Sequence, residues 1–152
     1  MKVVFDERQL AHDPEHYFRR GVLIPHPEQP QRAILLRDAL IGAGHERVHP
    51  NDHGRTPIEA VHDAGYVEFY LTAWEDWKTT TGTEVPAVPN YHTGRRDWRV
   101  PGGVIGKLGF YSTDTACPIV AGTAEAIYWS SQSAIEAAER VRSGAESHAY
   151  AL

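Results

Sequence analysis

Four short stretches carry residue types capable of chemistry. The first is His26-Pro27-Glu28-Gln29-Pro30-Gln31-Arg32, set just before a helical pattern. Its two prolines fix the approach of the chain, and Arg32 falls one turn into the helix, where a guanidinium can reach inward. On spacing alone a stiff capping loop with Arg32 in a salt bridge explains it better than a site does. The second is His62-Asp63-Ala64-Gly65-Tyr66. Imidazole beside carboxylate suits acid/base work, but sequence neighbours rarely aim both side chains at one substrate, so a helix-junction cap is the stronger expectation. The third is a set of histidines, His45, His49 and His53, with His12 and His16 upstream. Spacing of four on a helix would suit a metal, but Pro14, Pro50 and Gly54 interrupt it, and solvated loop histidines are expected. The fourth is Asp114 in a Ser/Thr-rich turn, either a cap or a carboxylate able to accept substrate N–H groups. Cys117, beside Pro118, has no base partner nearby in sequence to make it a nucleophile.

These residues need a scaffold. Residues 2–5 read as a short buried strand, and Ala33, Leu36 and Leu40 mark a helix running from Pro30 to the Gly42-Ala43-Gly44 stop. A weak strand follows at 46–49, and Pro57 opens a helical segment broken at Gly65. Val67, Tyr70, Leu71, Trp74 and Trp77 then fall on one helical face, more suited to core or interface than to a cofactor. Residues 11–30 read as irregular, and residues 79–107 lack convincing periodicity and carry the basic pair Arg95-Arg96. A loop of that length marks a binding loop, lid or dimer arm. The clearest helix runs from Thr123, expected as its N-cap, to Gly144, and 148–152 reads as one more strand.

Strand–helix alternation points to an α/β fold with a parallel sheet. Two or three parallel strands cannot cover both faces and edges of such a sheet, so the pattern reads as the front part of a larger fold. The 152 residues carry 15 basic and 20 acidic side chains, a net charge of −5. That balance argues against a nucleic-acid scaffold. One cysteine precludes an intrachain disulfide or a cysteine zinc cage. No run is long and apolar enough to suggest a membrane span, no signal-peptide core is evident, and a cytoplasmic setting is expected. There is no glycine-rich phosphate loop.

Residues 1–5, the 26–32 string, the 62–66 string followed by Phe69, Tyr70 and Thr72-Ala73-Trp74, and Gly109-Phe110-Tyr111 before a long helix together resemble one family. It is the zinc-dependent histone deacetylase superfamily, in its bacterial acetylpolyamine amidohydrolase branch. The resemblance covers residues 1–152. It implies the N-terminal part of an arginase/deacetylase-like α/β/α sandwich and, for the whole enzyme, zinc-dependent hydrolysis of acetylated amines.

The family's zinc ligands, paired histidines and oxyanion tyrosine lie in motifs (Pro-Gly-His-His, Asp-x-His, a later Asp and Gly-Gly-Tyr) expected beyond residue 152. No catalytic residue and no metal ligand is therefore expected among these residues, and the fragment alone is expected to be inactive. By the same resemblance Arg32 lines an acetate-release channel. Tyr17, Phe18 and Arg19 help form the mouth of the substrate channel, and Asp114 is a rim carboxylate. The 79–107 stretch matches an insertion that dimerises and narrows the entrance. The implied partners are a small acetylated amine and a second copy of the chain, with neither nucleic acid nor membrane. Ile105 and Ala116 stand where the polyamine branch carries acidic residues, which leaves other acylated amines open. The competing reading is a non-catalytic module that pairs with a full-length relative.

Overall fold

The computed structural model describes residues 1–93 and 99–152. The Arg95-Arg96 pair singled out above lies outside the described residues.

Lys2–Val4 forms β1, and Val3, Val4 and Phe5 are wholly buried. A 3-10 turn at Glu7–Ala11 follows, started by Asp6, whose side chain accepts from the Arg8 N–H. The expectation of irregular chain at 11–30 is corrected here. His16–Arg19 (β2) and Val22–Pro25 (β3) make an antiparallel hairpin. Its two-residue turn places Arg20 at φ 51° and Gly21 at φ 82°, the left-handed pair that matches the twist of the flanking strands.

Helix α1 spans Pro30–Gly42 with proline in its first turn, and β4 spans Glu46–Val48. The next helical segment breaks earlier than Gly65. A short α2 covers Thr56–Glu59, and α3 runs Ala64–Thr81 from an Asp63 cap whose carboxylate accepts from Tyr66 N at 3.0 Å. The His62-Asp63 pair is thus a helix junction. Gly65 sits in the first turn of α3 because a Cβ there would lie 2.7 Å from the Tyr111 hydroxyl.

The aperiodic 79–107 stretch is helical at both ends, since α3 continues to Thr81 and α4 occupies Val104–Tyr111. Helix α5 covers Thr123–Arg142, and β5 covers Ala149–Ala151. Gly122 rather than Thr123 is the N-cap of α5. Thr123 instead uses its hydroxyl to accept from Val120 N at 2.8 Å.

The main sheet is parallel, in the order β4-β1-β5, with Val3 opposite Arg47 on one side and Tyr150 on the other. Right-handed crossovers to strands on opposite sides of β1 put α1 and α5 on opposite faces of the sheet. Close packing of α5 on the 3-10 turn depends on Gly122, where a Cβ would meet the Ala11 carbonyl oxygen at 1.9 Å. A second core lies between α3, α4 and the Ala87–Ile119 bridge. It holds Phe69, Ala73, Trp74, Ala87, Val104, Leu108 and Ile119. Ala87 and Ile119 exchange two backbone hydrogen bonds of 2.9 Å, which fasten the long connection to the start of α5. Among the described residues no helix is long and apolar enough to cross a membrane.

Candidate functional site

In an open parallel sheet, the place for a ligand is the crevice at the carboxyl ends of the strands where the crossover direction reverses. Here that place lies between β1 and β5. A cleft of ≈ 430 Å³ opens there, lined among others by Gln9, His12, Glu28, Arg32, Ser130 and Leu152. Gln9 and His12 follow β1 directly, Leu152 follows β5, and Arg32 comes from the first turn of α1.

Arg32 does not point inward. It is 73% exposed and pairs with Glu28, one turn earlier, at 3.5 Å. An exposed pair of this kind contributes about 0–1 kcal/mol, so a ligand carboxylate can replace Glu28 at small cost. Gln9 lines the same cleft, and its side-chain amide nitrogen is shielded from solvent and has no hydrogen-bond partner among the described residues. A buried donor without an acceptor is unfavourable by about 1–3 kcal/mol. Sequence reading passed over Gln9, because only the fold brings it beside Arg32.

His12 is no solvated loop histidine, as expected from sequence. The Thr123 hydroxyl, which already accepts from Val120 N, has its hydrogen free to donate to His12 Nδ1 at 2.9 Å. Burial lowers the His12 pKa first, and the nearby His26 lowers it further. His53 is likewise held, with Nε2 at 2.9 Å from Glu136. Glu136 also accepts from Asn51 and pairs with Arg140. Burial pushes the Glu136 carboxyl up, but His53 and Asn51 outweigh it and hold the group below its usual range. Together with Gln132, which binds His53 N and the Gly54 carbonyl, Glu136 locks residues 51–54 onto α5. These contacts have a structural role.

The residues read as a channel mouth occupy a second region. Tyr17 is half-buried, with its ring edge-on to His26 at 5.3 Å. Phe18 and Arg19 are exposed at the hairpin end. Thr115 donates to the Phe18 carbonyl at 3.4 Å, which brings the hairpin and the Asp114 turn together. Asp114 itself is exposed and its Oδ1 accepts from Ala116 N at 2.8 Å, so it shapes its own turn. An apolar hollow of ≈ 340 Å³ separates the hairpin from the 85–88 segment, with Phe18, Leu23, Val85, Val88 and Val120 among its walls.

The hairpin and the turn are thus brought side by side. Arg32 lines the separate cleft at the sheet ends. His26 joins the two regions by chemistry that the sequence did not announce. Of the two positions noted for lacking acid, Ile105 is exposed on α4 and Ala116 offers its carbonyl to His26.

Cys117 is not activated. Packing around its sulfur pushes the thiol pKa up, and the carboxylates of Asp114 and Glu28 push it further. Among the described residues no group of three or more His, Cys, Asp or Glu converges to hold a metal ion. The described residues therefore offer no ligand set for the zinc that the resemblance implies.

No family model matches the chain. Curated relatives do. Acetylpolyamine amidohydrolase 1 of Pseudomonas aeruginosa is 40% identical over 157 residues, covering 100% of this chain and 44% of its own length. Acetylpolyamine amidohydrolase of Burkholderia pseudomallei is 37% identical with the same two coverages. The crystal structure of acetylpolyamine aminohydrolase from Burkholderia pseudomallei superposes with a TM-score of 0.87 at 35% identity, over 95% of this chain and 42% of that one. The HD domain of HDA15 shares the fold at a TM-score of 0.62 and 17% identity. This chain spans less than half the length of the curated relatives it matches. Sequence and fold together make the chain a homologue of the acetylpolyamine amidohydrolases, with a deacetylase-like α/β fold that matches their N-terminal part.

Proposed function

We propose that these residues build the front part of an amidohydrolase that cleaves a small acetylated amine with water, giving acetate and the free amine. The observation that carries this reading is the crevice at the carboxyl ends of β1 and β5. Arg32, a cation, and Gln9, whose buried amide nitrogen has no partner among the described residues, both line it. Those groups suit a carboxylate product, since guanidinium and N–H donors both favour an anionic acceptor. Arg32 would draw acetate away from the reacting centre, exchanging Glu28 for it, while Gln9 offers the second hydrogen bond.

At the mouth, Tyr17, Phe18 and Arg19 of the hairpin face the substrate chain, and the exposed Asp114 carboxylate accepts its N–H groups. Zinc is supplied in this reading by ligands from the part of the relatives that this chain does not span. The 79–107 stretch, with exposed Val85, Tyr91 and Val100, makes a homodimer contact. A cytoplasmic setting fits the single free thiol.

The test is a chimaera in which residues 1–152 replace the matching N-terminal part of acetylpolyamine amidohydrolase 1 of Pseudomonas aeruginosa, assayed on acetylputrescine. Turnover is expected. Arg32→Ala should strengthen product inhibition by acetate and lower kcat more than it raises KM. Asp114→Asn should raise KM. A folded chimaera without turnover, or an Arg32→Ala form with unchanged kcat and acetate sensitivity, contradicts the reading.

A further inference from the structure

The 26–32 string opens on a histidine that the proposed chemistry leaves unused. His26 is buried, with only 8% of its surface exposed, in a loop where a solvated histidine would cost nothing. Its main-chain N–H donates to the Glu15 carbonyl at 2.9 Å and so extends the hairpin ladder. Its ring reaches across to the opposite loop, where Nε2 stands 3.0 Å from the Ala116 carbonyl oxygen. That oxygen can only accept, so the contact is a hydrogen bond when Nε2 carries the proton. Ala116 is then held through both of its main-chain polar groups, because its N–H donates to Asp114 Oδ1.

The other ring nitrogen explains why histidine is suited to this place. Nδ1 lies 3.2 Å from the Glu28 N–H and 2.8 Å from the Glu28 carbonyl oxygen. With the proton on Nε2, Nδ1 accepts from the Glu28 N–H. The ring thus stands between the Glu28 main chain on one side and the Ala116 carbonyl on the other. The titratable groups around the ring are Tyr17 on β2, His12 after the 3-10 turn and Glu28 in its own loop, with Asp114 and Cys117 flanking Ala116.

We propose that His26 is a positioning residue, whose imidazole spans the Glu28 and Ala116 main chains and thereby fixes the turn that presents the Asp114 carboxylate at the mouth. The functional half of this statement rests on the reading of Asp114 as a rim carboxylate. The structural half stands on the hydrogen bonds alone. The clamp joins the loop leading into Arg32 to the loop carrying Asp114, so the two regions of the site are set relative to each other by one ring.

The experiment is NMR on the 152-residue chain, with His26→Phe and His26→Gln beside the wild type. Long-range ring 15N spectra of the wild type should show Nε2 protonated from pH 5.5 to 8.5. In His26→Phe the Ala116 amide should exchange about tenfold faster, the loss of roughly one hydrogen bond, while amides in the middle of α5 stay as they were. His26→Gln, which can place an amide N–H near the Nε2 position, should recover most of that protection.

An unprotonated Nε2 overturns the proposal, and this remains decisive if His26→Phe fails to fold. Unchanged Ala116 exchange in a folded His26→Phe, or a His26→Gln form no better than it, also overturns it. In the chimaera, His26→Phe should raise KM about as much as Asp114→Asn does, with kcat little altered. Failure of the site reading gives a different result: the Ala116 effects persist, and Asp114→Asn leaves KM unchanged.

Discussion

The α3–α4 half of the molecule closes around its own core, whereas α1 covers its side of the sheet only thinly. Phe69, Trp74 and Leu108 are buried among one another, with Tyr70, Trp77 and Tyr111 packed around them. Helix α1 is 13 residues long yet buries none of them. It leaves Leu35 at 62%, Leu36 at 41% and Ile41 at 42% exposure, and its Arg37 guanidinium sits 5.3 Å above the Phe5 ring. Both halves hold well-formed helices. The contrast lies in what the helices touch, and it teaches that one layer buries its apolar side chains while the other leaves much of its apolar surface exposed. Helical stability comes mostly from the packing of an apolar face, so the two halves should respond very differently to substitution.

The largest effect is expected inside the closed core. Phe69→Ala should cost about 3–5 kcal/mol through lost burial and the cavity left behind, read as a lower midpoint in urea unfolding. Glu136→Ala comes next, at about 2 kcal/mol, because it strands the partners His53, Asn51 and Arg140 that its carboxylate now satisfies. A loss below 0.5 kcal/mol would show that the 51–54 lock contributes nothing.

A smaller effect is expected from acid. The His12 pKa is lower in the folded chain than in the unfolded one, so the unfolded chain binds the extra proton first. The stabilisation is full above the unfolded value of about 6.5 and is lost as pH falls below it. Melting between pH 7.5 and 5.5 should show the decline, and His12→Gln should reduce it. The smallest effect belongs to α1, where Leu35→Lys should stay within about 0.5 kcal/mol. A loss like that of Phe69→Ala would erase the distinction between the two halves.

The sequence carried the long periodic elements well. Pro30 and the Gly42–Gly44 stop bracketed α1, and the apolar spacing through Val141 located α5, because both signals are local. The hairpin was missed although an aromatic stretch, a turn pair ending in Gly21 and an aliphatic run stood in order at 16–25. Four prolines between positions 14 and 30 masked that pattern. The N-cap of α5 was misplaced by one residue because Thr123 spends its hydroxyl on the preceding turn and on His12.

Site chemistry was less legible. The 26–32 string was visible as a motif, but Arg32 turned outward to Glu28, and the informative member proved to be His26. Its partner Ala116 lies 90 positions away, a separation that no local pattern encodes. Gln9 is invisible for the same reason, since a lone glutamine gains meaning only from the cleft beside it.

The claim beneath all of this is that α1 and the outer edge of β5 face the part of the amidohydrolase fold that these residues do not supply. Amide hydrogen exchange in the isolated chain and in the chimaera tests it most directly. The account predicts that amides of α1 and β5 become at least about tenfold better protected in the chimaera, while those at the centre of α3 change little. Equal protection of α1 and β5 in both proteins would contradict it.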